Sequence, residues 1–255
     1  MRKLFKYGLI FISSILILAV FSFGLESIVE QSIRLVKIEK FTKKGVYQEA
    51  ISDEDFKYYK VDLDIDKPGY TLGAAGELLP GYAGDILVTP LTYLDNDVLE
   101  QLMSFFVGGH AGICLGEYYD YNIEVDGEYS LETSGVREGL DECQPFAKDV
   151  WCNPDAYSTV LALRPKGMNE EKRDKVLSLA LSHVGDPYNY NFTFDTLNKS
   201  YCSDLISKVY KEIGCNLNKD GFWTTVHDLI ASNEVFITYY HYFDKSGVMH
   251  IYYAE

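Results

Sequence analysis

The sequence has no CxxC pair and no His/Cys cluster at zinc-binding spacing, so it offers no structural metal site and no sign of a cofactor. Positive charge is scarce. Lys+Arg number 23 against 38 Asp+Glu, a formal net charge of -15 at pH 7. An acidic surface repels polyanions, which argues against nucleic acid as a partner. No basic stripe relieves that balance except at one segment near the N-terminus, where Lys37, Lys40, Lys43 and Lys44 cluster. Internal repeats and low-complexity tracts are absent. Long hydrophobic runs are absent too, with one exception at the start of the chain.

That exception is the uncharged run from Gly8 to Leu25, preceded by Arg2, Lys3 and Lys6. At about 18 residues it meets the lower limit for a spanning helix. The basic flank belongs on the cytoplasmic side, which places the rest of the chain outside the cell membrane. Residues 1–26 therefore read as a single-pass anchor. The rival reading is a cleaved signal peptide that releases a secreted protein. Residues 27–80 follow as a juxtamembrane helix and a lead-in, and residues 81–255 as the main domain. The lysines of the juxtamembrane helix are a solvated face or a contact for lipid headgroups.

The five cysteines are Cys114, Cys143, Cys152, Cys202 and Cys215. An odd count in an exported chain leaves at least one free thiol. Cys143 and Cys152 lie close together in a loop-like stretch and are candidates for a disulfide; the alternative is two inert reduced thiols.

From Gly84 the pattern tightens. Asp85–Thr89, His110–Leu115 and Ser158–Arg164 read as strands. Tyr129–Thr133 reads as a hairpin partner of the histidine strand, with Asp126-Gly127 as the turn. Leu99–Phe106 is a short apolar stretch with the length of a helical turn. Asn169 caps a helix that places Val176, Leu179, Ala180 and His183 on one face and stops at Gly185. A second helix begins at Cys202, carries Leu205, Ile206, Val209 and Ile213, and stops at Gly214. Val235–Tyr253 is rich in β-branched and aromatic residues and reads as one or two strands.

Two residues carry the chemistry. Cys202 stands at a helix start, where unpaired N–H groups and the dipole favour a thiolate. His110 stands among Gly108, Gly109 and Gly112, which leave room for close approach. Taken singly, each has a plain alternative: a small buried hydrophobe and a satisfied structural histidine. Brought together they form a nucleophile and its general base.

The order of short motifs adds a family. Gly84-Asp85-Ile86-Leu87, Gly109-His110-Ala111-Gly112-Ile113, Leu131-Glu132-Thr133, Asp186-Pro187-Tyr188 and Tyr201-Cys202-Ser203-Asp204-Leu205 resemble the permuted NlpC/P60 superfamily. The resemblance is to its YiiX/YebB-like branch of papain-like amidases. It spans about Gly84 to Ile230. It implies an α+β fold, a circularly permuted papain-like NlpC/P60 domain with an antiparallel sheet packed against helices, preceded here by the N-terminal membrane helix. It also implies Cys202 as nucleophile, His110 as base and Glu132 as the orienting carboxylate, with Glu117 and Glu124 as fallback choices. Tyr188 and Tyr201 would line the substrate pocket. Asp85 would stabilise a turn. Arg137–Tyr157 departs from the family pattern and reads as an insertion. Thr224–Asp228 replaces an expected proline turn. His183, His227, His241 and His250 match no motif and read as structural.

The expected function is that of a membrane-tethered, extracytoplasmic thiol hydrolase acting on a peptide-like amide of the cell envelope. The alternatives are a lipid-amide hydrolase or acyltransferase taking an acyl-amide substrate, and a binding module that keeps the fold without the chemistry.

Overall fold

The computed structural model describes residues 24–90, 108–120, 125–133, 142–190, 199–218 and 223–255. The expected anchor lies almost entirely outside the described residues, as does Leu99–Phe106. Among the described residues no helix is long and apolar enough to cross a membrane.

A helix α1 covers 24–42. It is followed by strands β1 (Val46–Tyr47), β2 (Phe56–Val61), β3 (Tyr70–Leu72), β4 (Leu78–Pro80) and β5 (Ile86–Thr89). Next come β6 (His110–Asp120), β7 (Val125–Thr133), β8 (Cys143–Ala147), a 3-10 turn (Lys148–Cys152) and β9 (Thr159–Pro165). Helices α2 (Glu170–Leu181), α3 (Cys202–Lys211) and α4 (Val226–Ala231) precede β10 (Val235–Phe243) and β11 (Met249–Ala254).

In the described residues, nine strands form one sheet in the order β1-β2-β11-β10-β9-β5-β6-β7-β8, and β3-β4 form a separate pair. The expected antiparallel sheet is antiparallel at each of these pairings but one, since β2 runs parallel to β11. Residues 45–61 thus extend the domain's sheet as well as leading into it. The β6–β7 hairpin is present, but its turn is not Asp126-Gly127. Those residues pair with Tyr119 and Tyr118, which moves the connection to 121–124.

The sheet separates two apolar clusters. On one face α2, α3 and α4 pack Val176, Leu205, Ile206, Val209, Leu229 and Ile230 against Ile86, Val88, Ile113 and Leu161. Each such side chain contributes roughly 1.5–3 kcal/mol when fully buried. The other face is smaller and gathers Leu87, Trp151, Tyr157, Val160, Tyr239 and Ile251. Cys143 packs in the first cluster and Cys152 against the second. Held on opposite faces, they form no disulfide, and all five cysteines are free thiols.

Local chemistry explains the helix ends. Asn169 Oδ1 accepts from Lys172 N at 2.9 Å, the expected cap of α2. Thr225 and Asp228 form a reciprocal capping box that starts α4 where a proline turn was expected. Asp85 accepts from Tyr82 N at 2.9 Å and so holds its turn, as expected. It also takes two bonds from the buried Arg164 guanidinium, at 2.7 and 2.8 Å.

Candidate active site

The site forms where three elements meet. The first turn of α3 lies against β6, and β7 pairs with β6 in a register that sets Gly112 opposite Glu132. A Cβ at Gly112 would stand 3.0 Å from Glu132 Cγ and 3.3 Å from Trp151 Cζ2. The missing side chain there is the space that the carboxylate and the indole occupy. At Gly108, φ is +80°, and a Cβ would stand 2.7 Å from Val226 Cβ. The left-handed backbone that glycine tolerates lets β6 begin directly beneath α4.

His110 Nε2 and Glu132 Oε2 are 2.8 Å apart. The imidazole also hydrogen-bonds the Cys202 thiol, and with Nε2 engaged by the carboxylate, Nδ1 is the nitrogen left for sulfur. The three residues proposed from the sequence are therefore in one chain of contacts. Cys202 is 7% exposed and Glu132 1%. Glu117, a fallback carboxylate, is exposed and pairs across the hairpin with Glu128. Glu124 lies outside the described residues.

Burial alone would raise the thiol's pKa, but it is lowered. The His110 hydrogen bond and charge outweigh burial, helped by the backbone N–H groups of Ala111 and Ser203 that point at the sulfur. Burial would likewise lower the imidazole's pKa. Tyr157, Cys202 and Glu132 reverse that and raise it well above the ordinary histidine value. Both shifts favour the same state, a thiolate facing an imidazolium. Three other thiols go the opposite way. Burial pushes Cys114, Cys143 and Cys152 up to about 12.

The carboxylate is itself held. Ser130 Oγ donates to Glu132 Oε1 at 2.7 Å, and Trp151 Nε1 donates to the same oxygen at 2.9 Å. The Trp151 ring stacks on His110, with centroids 5.7 Å apart and planes within 12°. Tyr157 stacks on Trp151 at 4.8 Å. These partners cover the His–Glu contact from the smaller face of the sheet.

Tyr201 precedes Cys202 as the residue at the helix cap and makes no side-chain capping bond. Its ring is buried, and its hydroxyl bonds the backbone at Thr224. Tyr188 is half-buried. Burial, with Cys202, Tyr190 and Tyr201 close by, raises its pKa and keeps the phenol neutral. Ser203 Oγ donates to Thr224 O at 2.7 Å, which ties the start of α3 to the segment entering α4.

A family model described as permuted papain-like amidase enzyme, YaeF/YiiX, C92 family, matches residues 83–233. The chain belongs to this family. No curated protein matches the sequence. A similar solved structure is that of the metalloprotein yiiX from Escherichia coli O157:H7. It has 15% identity and a TM-score of 0.46, and the match covers 61% of this chain and 95% of that one. Among the described residues here, no group of three or more His, Cys, Asp or Glu side chains is placed to hold a metal ion.

Within this amidase family member, the residues that the sequence left unassigned are Ser130, Trp151 and Tyr157. Trp151 and Tyr157 lie in the stretch that reads as an insertion. Two tryptophans occur in the whole chain, and this one precedes Cys152 in a short turn with no periodic pattern to mark it. Among the histidines without a motif, His241 is buried and its pKa falls to about 3 for that reason, which fits a structural role.

Proposed function

We propose that this chain is a thiol amidase that cleaves a peptide-like amide of the cell envelope, tethered to the membrane with its domain on the outer side. The observation that carries the chemical part is the continuous contact from Cys202 through His110 to Glu132, with the shifts that favour the ion pair. The family supplies the amide as the bond class. The tether and the side of the membrane rest on the basic flank and apolar run at residues 2–25.

The Cys202 thiolate attacks the carbonyl carbon, and the electron pair moves to oxygen. The N–H groups at the start of α3 receive no side-chain cap from Tyr201 and are the backbone donors closest in sequence to Cys202 for that oxyanion. His110 then gives its proton to the departing amine, and the C–N bond breaks to leave a thioester on Cys202. Water, deprotonated by His110, hydrolyses the thioester and restores the thiolate. Glu132 keeps the imidazole oriented and stabilises its charge throughout. Tyr188 stands at the thiol as a neutral hydrogen-bond donor to substrate, and Tyr201 forms the inner wall.

The test is turnover of a panel of peptide amides by the full chain and by Cys202→Ala. Mass spectrometry of quenched reactions reads the acyl adduct. Release of amine with an adduct on Cys202 that vanishes in the variant supports the proposal. Equal release by both proteins contradicts it.

A further inference from the structure

Helix α1 is turned inside out relative to an ordinary surface helix. Its inner side is largely polar. Ser27 is buried, Arg34 is half-buried near Tyr240, and Lys37 Nζ donates to Ile230 O at 2.8 Å and also to Ser232 O. These carbonyls close the end of α4, so the lysine caps that helix. Ile38 and Phe41 are the apolar residues that pin its C-terminal part to the core.

Its outer side is aliphatic. Leu25, Ile28, Val29, Ile33, Leu35 and Val36 are 37% to 60% exposed. At about 100° per residue they gather on the side opposite Arg34. Ser32 falls within this stripe, and its hydroxyl is turned back on Ile28 O at 2.8 Å. Such a stripe on a charged, soluble-type domain marks an interaction surface. The same outward face continues into Lys40 and Lys43, with Lys44 beside them. Lys43 pairs with Glu39 at 2.6 Å. Lys40, Lys44 and Lys166 border a cavity of about 610 Å³ floored by Phe41, Leu63 and Ile65, with Asp64 as the one carboxylate on its wall.

Two occupants fit an aliphatic stripe: a second copy of α1, or a bilayer. The charge and the preceding sequence favour the bilayer. Two copies paired along α1 would bring together chains that each carry -15. A bilayer with anionic headgroups accepts both parts of the face, the stripe in its acyl boundary and the lysines at its phosphates. The apolar run Gly8–Leu25 leads directly into this stripe, so the chain arrives at α1 from the lipid it would rest on.

We propose that α1 lies in the surface of an anionic bilayer, its Leu25–Val36 stripe among the acyl chains and Lys40, Lys43 and Lys44 on phospholipid phosphates. The proposal builds on the membrane tether above and adds an orientation. A domain held along α1 cannot swing freely, so its active site keeps a set height over the membrane.

The test uses the full chain in phosphatidylcholine vesicles with and without phosphatidylglycerol. A benzophenone amino acid replaces Leu35, or Glu54 on the domain surface as a control. Flotation reads the tether and photocrosslinking reads the face. The expected result is phospholipid adducts at Leu35 and none at Glu54. Lys40→Glu/Lys43→Glu/Lys44→Glu should lose about tenfold or more of the Leu35 adduct in anionic vesicles, with Cys202 reactivity intact as the folding control. A Leu35 adduct to a second chain would overturn the proposal in favour of a dimer. Flotation without any Leu35 adduct would overturn it and leave the tether standing. A chain that fails to float would overturn both.

Discussion

At the scale of single residues, the site depends on one charge that sits well inside the protein. Glu132 is 1% exposed, and its oxygens are met by Ser130, Trp151 and His110. Glu132→Gln preserves the shape and still accepts from Trp151. Its amide would donate to His110 Nε2, leaving the proton on Nδ1 and the thiol without a base. A loss in kcat of up to about 10⁴-fold follows, by analogy with the wrong-tautomer effect in serine triads. The pH profile carries a second signature. The rate rises as the thiol ionises and falls as the imidazolium loses its proton. Glu132 is among the groups that raise the imidazole's pKa, so its loss should move the alkaline limb to lower pH. A kcat/KM profile against pH checks both effects.

At the scale of elements, the register of β6 against β7 sets the site, and Gly112 is where that register is tested. Gly112→Ala puts a methyl 3.0 Å from Glu132 Cγ and 3.3 Å from the Trp151 ring. Overpacking of this kind costs about 1–3 kcal/mol. The carboxylate and indole are the groups that must yield, so activity should fall by more than stability does. Chemical denaturation and turnover on the same variant separate the two.

This scale also shows what the sequence made legible. Cys202 begins α3 and His110 begins its strand as expected, but α3 ends at Lys211 with Glu212 as its cap, short of the expected stop at Gly214 and leaving Ile213 outside the helix. Hydrophobic period and caps are local signals, and these elements carry them. Glu132 was found through the family's motif order, because nothing in its own neighbourhood distinguishes it from other carboxylates. Trp151 and Tyr157 carry no local signal because their roles arise between residues 19 to 47 positions from Glu132 or His110 in the chain, whereas Ser130 lies two residues from Glu132 on the same strand and a lone serine there has no pattern to mark it. The Asp126-Gly127 turn signal misled for a related reason. Pairing along β6 continues to Asp120, and cross-strand bonds override the preference of two residues.

At the scale of the whole molecule, Arg164 links the lead-in to the sheet. Its guanidinium binds both oxygens of Asp85 and the carbonyl of Pro68, and it reaches Asp66 at 3.4 Å. Burial would lower its pKa, but Asp85 and Asp66 raise it, so the cation persists inside. Arg164→Ala would strand a fully buried Asp85 carboxylate. Breaking such a pair costs about 3–5 kcal/mol. For a chain of this size that is a fall in Tm of roughly 10 °C, measurable by thermal denaturation. Arg164 stands at the end of β9 farthest from the register of Thr89 with His110. Cys202 reactivity below the transition should therefore be retained.

The proposed chemistry rests on an activated Cys–His pair, and the chain contains its own controls. The full protein, treated at pH 6 to 7 with a thiol-directed electrophile, should be labelled rapidly at Cys202. Cys114, Cys143 and Cys152, whose pKa values are pushed up to about 12, should stay unmodified. His110→Ala should abolish the rapid phase. Slow labelling of Cys202 at the same rate in both proteins would contradict an activated Cys–His pair and leave a papain-like fold without its nucleophile.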